Sequence, residues 1–103
     1  MGEKLDNIRE TDEYKEWFAG LRDERAKSRI DMRVKRLAGG NPGYHRFLGD
    51  ISEMKIDYGP GYRVYYKDTG KIIYVLLCGG DKSTQSKDIE TARELARNLE
   101  GIL

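Results

Sequence analysis

The hydrophobic period of this chain changes once, at Gly39-Gly40-Asn41-Pro42-Gly43, and that change sets what it can fold into. Before the break, apolar residues recur at helical spacing. Tyr14, Trp17, Phe18 and Leu21 form one stripe, and Ala26, Ile30, Val34 and Leu37 form the next. Thr11, followed by Asp12 and Glu13, is a good N-cap, and Asp23 is another. Two helices joined this closely make an antiparallel hairpin, ended by Gly39-Gly40. Leu5 to Arg9, ahead of them, reads as a short strand.

After the break the period is two. Met54, Ile56 and Tyr58 point one way, and Glu53, Lys55 and Asp57 the other. Gly59-Pro60-Gly61 turns the chain. Tyr62, Val64 and Tyr66 then alternate with Arg63, Tyr65 and Lys67, and Asp68-Thr69-Gly70-Lys71 makes a hairpin turn. Ile72 to Cys78 is continuously apolar, which suits a central strand, and Gly79-Gly80 ends it. A last helix starts at Ser86 or Asp88 and buries Ile89, Ala92, Leu95, Ala96 and Leu99. The expected fold is α+β, in the order β-α-α-β-β-β-α, with an antiparallel sheet of about four strands. Helices are expected on one face. The other is expected to show Lys55, Arg63, Tyr65 and Lys67 to solvent.

Composition fits one domain over residues 1–103. Leu, Ile, Val and Phe number only 22 of 103 residues, so the seven Tyr must share in a modest core. Charged residues are 36% of the chain and nearly cancel, to +1. They are unevenly placed. Residues 26–49 carry six basic side chains (Lys27, Arg29, Arg33, Lys35, Arg36 and Arg46) against one acid, an electrostatic invitation to phosphate or simply a solvated helix face. Cys78 is the only cysteine, so it can form no internal disulfide, and it reads as a small core residue. The longest apolar run, Ile72 to Cys78, is far too short to span a membrane, and no secretory signal is visible. The expected location is the cytoplasm.

Familiar catalytic signatures are missing: there is no GxSxG, no P-loop and no HExxH. His45 is the single histidine, so a His-based metal site is not expected, nor is any cofactor. What stands out is the face that carries Lys55, Arg63, Tyr65 and Lys67, with Lys82 following the Gly79-Gly80 pair. Cations on one concave face can hold a phosphodiester and stabilise the charge that grows as it is cut. Tyrosines there can stack on unpaired bases. RNA brings its own nucleophile, the 2′-hydroxyl, so such a site needs only a base, an acid and an anion clamp. Alternating charge also keeps a sheet soluble, with Glu53 and Asp57 pairing to Lys55 and Arg63, and alternation taken alone favours that plainer reading.

Two segments tip the balance. Asp57-Tyr58-Gly59-Pro60-Gly61-Tyr62-Arg63-Val64-Tyr65-Tyr66 resembles the GpGyRvyy hairpin of HigB-like addiction-module killer proteins in the RelE/ParE superfamily. Leu76-Leu77-Cys78-Gly79-Gly80-Asp81-Lys82-Ser83-Thr84-Gln85 resembles their LLxGGdKstQ segment, and Lys87 to Ala92 continues it. The likeness runs from about Leu5 to Leu99. It implies a toxin neutralised by a cognate antitoxin, often of helix-turn-helix type. For many members it also implies cleavage of mRNA on the ribosome. Carried over by position, it makes Arg63 the stabiliser of transition-state charge and Lys55 a base or electrostatic helper. Lys82 becomes a phosphate clamp or proton donor, and Gln85 a hydrogen-bonding contact. Arg46, Tyr65 and Lys67 complete the expected RNA-binding set. Many ribosome-dependent relatives are more basic, and some carry a C-terminal histidine or tyrosine near the cut. Here Ser83, Thr84, Gln85 and Asp88 stand in that segment, which leaves the acid and the base open. ParE-like members instead inhibit DNA gyrase by binding, and a degenerate toxin can persist as a regulatory partner. Both remain alternatives.

Overall fold

Thr11 does two jobs that tie the first helix to the sheet. Its hydroxyl oxygen accepts the Tyr14 N–H at 3.0 Å and its hydroxyl proton goes to the Leu77 carbonyl. The computed structural model, which describes residues 5–99, places this residue between β1 (Ile8–Glu10) and α1 (Asp12–Ala19). Asp23 caps α2 (Glu24–Ala38) by accepting from the N–H groups of Arg25 and Ala26. The stripe Ala26, Ile30, Val34 and Leu37 is buried, as the helical period requires.

The remaining elements are β2 (His45–Phe47), β3 (Ser52–Ile56), β4 (Tyr62–Asp68), β5 (Tyr74–Gly80), a 3-10 turn at Lys82–Thr84 and α3 (Gln85–Arg97). They give an α+β fold. The sheet has five strands in the order β1-β5-β4-β3-β2. It is mixed, because β1 runs parallel to β5 while the other pairs are antiparallel. The expected four-strand antiparallel sheet therefore gains β2, and its first strand lies beside the last. The α1–α2 hairpin is the long crossover a parallel pair needs, extended here through three further strands.

Helices cover both faces, which corrects the expectation of one bare face. Tyr14, Ile30, Val34 and Leu37 pack with Met54, Ile56, Val64, Tyr66 and Leu76 on the α1–α2 side. Ile51, Tyr65, Val75, Leu77, Cys78, Ala92 and Leu99 form a second core under α3. A register shift places Tyr65 opposite Cys78 and Tyr66 opposite Leu76, so Leu77 is an extra residue. Leu77 and Cys78 both join the α3 core. Burial pushes the Cys78 thiol up to about 12, so it is a small apolar filler and not a reactive group.

The last strand is also shifted. Ile72 takes a φ of 63° and is 76% exposed, because the turn folds back through Thr69, whose N–H and hydroxyl both donate to the Ile73 carbonyl. Pairing starts at Tyr74 and runs through Gly80, so Gly79-Gly80 belongs to the strand instead of ending it.

Candidate functional site

Antiparallel pairing sets Lys55 of β3 directly opposite Arg63 of β4, and Arg63 opposite Gly80 of β5. Two residues beyond Gly80 the 3-10 turn presents Lys82, which is exposed. Asp81 shapes that turn. Its carboxylate accepts from the Ser83 N–H at 2.8 Å and from the Ser83 hydroxyl, which holds it below the usual carboxylate range. The Lys55, Arg63 and Lys82 side chains thereby line one open groove of about 310 Å³, together with Tyr44, Asp57 and the Gly59-Pro60-Gly61 turn. At the open end of the row, Lys55 Nζ lies 5.2 Å from the centre of the Tyr44 ring.

Arg63 is held from beneath. Its side chain is only 12% exposed, Nη1 donates to the Gly61 carbonyl at 2.8 Å and Nε lies 3.9 Å from Glu53 Oε2. Glu53 itself is fully buried under α3. Gln85 Nε2 donates to its Oε2 at 2.8 Å, and Arg46 Nη2 lies 3.3 Å from its Oε1. The Tyr65 hydroxyl is buried beside this carboxylate without a well-aligned hydrogen bond. Burial first, and the Glu53 charge second, raise it above the usual phenol range, so it stays neutral.

The sequence-expected residues therefore divide. Lys55, Arg63 and Lys82 come together at the groove. Arg46 and Gln85 do not line it: both are engaged by Glu53, Arg46 from the exposed edge strand and Gln85 from α3. Tyr65 does not face solvent as expected. Its ring is fully buried in the α3 core, so it has no open face to offer a base. Lys67 stands four residues along β4 from Arg63, roughly 13 Å at the usual rise of a strand, and its ammonium donates to the Asp50 carbonyl at 3.0 Å. It is outside the groove.

The basic cluster of residues 26–49 is dispersed as well. Arg33 is structural: its guanidinium donates to the carbonyls of Lys55, Pro42 and Tyr44 and ties α2 to the sheet edge. Arg29 lies over the Tyr58 ring, and Lys27 lies over Phe18 and near Glu24. His45, read as a loop residue, is exposed on β2, with Nδ1 2.8 Å from the Gly43 carbonyl.

Sequence reasoning missed Tyr44 and Asp57 at the groove and Glu53 beneath it. Tyr44 precedes a three-residue strand too short to show a period. Asp57 was visible in the Lys55–Asp57 alternation, but only as a partner for a neighbouring cation. Glu53 alternates with apolar residues as a solvent-facing carboxylate would, and nothing local marks it as buried.

Fold and groove together define a small α+β protein whose mixed sheet is wrapped by helices and carries converging cations at one end. The chain is 47% identical, over 93 residues, to an uncharacterized protein of Haemophilus influenzae (strain ATCC 51907 / DSM 11121 / KW20 / Rd), a match that covers 89% of this chain and 94% of that protein. It belongs to the same family as that protein. No protein-family model matches the chain. No solved structure matches it either. Among the described residues, no helix is long and apolar enough to cross a membrane.

Proposed function

We propose that this chain is the toxin of a toxin–antitoxin module in the RelE/ParE superfamily, an endoribonuclease that cuts mRNA at the ribosome in the cytoplasm. Its restraining partner would be a cognate antitoxin of helix-turn-helix type. The observation that carries the reading is the convergence of Lys55, Arg63 and Lys82 on one groove. Arg63 and Lys82 stand in the hairpin and GGDKSTQ segments of the resemblance, and Lys55 is a lysine just ahead of the first.

The chemistry follows from the charges. The RNA 2′-oxygen attacks the adjacent phosphorus, the O2′–P bond forms and the P–O5′ bond breaks. The products are a 2′,3′-cyclic phosphate and a 5′-hydroxyl. Negative charge builds on the non-bridging oxygens, and Arg63, with its permanent charge, is the group to offset it. Lys82 sits on a rigid turn and can hold the same phosphate or protonate the departing O5′. Lys55 serves as base for the 2′-hydroxyl or as an electrostatic helper. Glu53 keeps Arg63 in place from below and touches no substrate.

Induced expression in a bacterial host tests the reading. The expected result is arrested growth with new 5′ ends inside transcripts, and normal growth with Lys82→Ala or Arg63→Lys at equal protein levels. Intact transcripts with a DNA damage response would point to gyrase inhibition, and no effect on growth to an inactive regulatory partner. Either outcome overturns the proposal.

A further inference from the structure

Tyr44 is 63% exposed, yet its backbone is firmly held. Its carbonyl accepts the Lys55 N–H at 2.9 Å and the Arg33 guanidinium at 2.8 Å. The backbone that carries the ring is thus held at the sheet edge, and the side chain is left open to solvent. Its place in the sheet is specific. Arg46 pairs with Glu53, so Tyr44 falls in the next row, beside Lys55, followed by Arg63 and Gly80. Tyr44 and Arg63 are therefore two strand spacings apart, each about 4.8 Å. Lys55 lies between them with its ammonium over the ring.

The other end of the row is shaped to leave room. Gly61 has a φ of +80°, and a Cβ there would come within 3.1 Å of Arg63 Nη1 and 3.6 Å of Lys82 Cβ. A bare backbone at Gly61 leaves room for the Arg63 guanidinium, which donates to the Gly61 carbonyl, and for the root of the Lys82 side chain. The groove residues carry three cations and one acid, Asp57. An open aromatic ring beside an anion seat matches the two parts of an unpaired nucleotide, a flat base and a phosphate. An acidic peptide would use the cations and leave the ring idle.

We infer that Tyr44 is a base-stacking platform, so that the groove takes one unpaired nucleotide with its base on Tyr44 and its phosphate between Arg63, Lys82 and Lys55. The inference deepens the nuclease reading and rests on it for RNA as the ligand. Tyr44, not the buried Tyr65, then supplies the stacking surface.

Binding of a fluorescent 2′-O-methyl uridine pentamer, which cannot be cut, tests it with the full-length chain. Stacking of one base corresponds to about a 5- to 150-fold change in affinity. Tyr44→Ala should weaken binding within that range at an unchanged thermal midpoint, and Tyr44→Phe and Tyr44→Trp should stay within about twofold of the parent. The indole of Tyr44→Trp should be quenched by the pentamer and not by inorganic phosphate. If Tyr44→Ala binds as tightly as the parent while Lys82→Ala binds weakly, the platform is wrong and the phosphate groove stands. If the parent chain prefers an RNA duplex or a poly-glutamate peptide to the pentamer, or binds no pentamer, the platform is wrong, and mapping of transcript 5′ ends decides the nuclease reading separately.

Discussion

Gly79 and Gly80 stand back to back in β5, and each faces a side chain that leaves no room for a methyl group. A Cβ on Gly79 would come within 2.3 Å of the Trp17 indole, and one on Gly80 within 1.8 Å of Asp88 Oδ2. Gly79→Ala and Gly80→Ala should each destabilise the protein by about 1–3 kcal/mol through overpacking. Gly20→Ala, at a φ of −78° with only ordinary contacts, should stay within about 0.5 kcal/mol. Urea midpoints would report all three, and equal midpoints would contradict the packing. Glu53 is the other residue on which the interior turns. Removing its carboxylate strands the Arg63 guanidinium and leaves the Gln85 amide without its acceptor, so Glu53→Ala should cost about 3–5 kcal/mol. Arg46→Ala, on the half-exposed side of the same carboxylate, should cost about 1 kcal/mol or less. Similar losses for both would contradict a buried charge centre. The sequence shows that a carboxylate and two glycines stand at these positions. It does not show what lies over them, because Trp17, Arg63 and Asp88 reach them only through tertiary packing.

At the scale of elements, local chemistry made most boundaries readable. Thr11 and Asp23 cap their helices as their side chains dictate, and the apolar stripes are buried. What escaped was β2, whose three exposed residues form a strand only because β3 offers an edge. The start of α3 escaped as well. The helix begins at Gln85, out of the turn that Asp81 organises, so Asp88 lies inside its first turn. There the Asp88 carboxylate is raised above its usual value, mainly by burial, while the Thr84 hydroxyl opposes the shift and Asp81 adds to it. The folded state therefore holds this proton more tightly than the unfolded chain. Its contribution to stability is greatest below the ordinary carboxylate value and is lost as pH rises through the raised one. Asp88→Asn, which keeps an acceptor for Thr84, should gain stability relative to the parent across that window and hold the gain at neutral pH. Paired urea titrations at several pH values would measure it. A gain that shrinks as pH rises would contradict the assignment.

The whole molecule is a sheet between two helical layers, and this was only half legible. Ile72 to Cys78 is apolar on both faces, which placed the strand centrally. The same fact implies that both faces are covered. The charged alternation of β3 and β4 hid that implication, because Glu53 and Tyr65 resemble surface residues in one dimension. Yet the groove was visible in outline. Lys55 and Arg63 share a face by strand parity, and the turn after Gly80 returns Lys82 to the same end. These three cations are the ones proposed to cut RNA. The most direct test of that proposal adds purified protein to a translating extract with a defined message and maps 5′ ends by primer extension. The parent chain should produce new ends within the message. Lys82→Ala at an unchanged thermal midpoint, and Arg63→Lys while still folded, should lose about a hundredfold or more of the cleavage rate. An intact message with the parent chain, or cleavage at the parent rate by both variants, would contradict it.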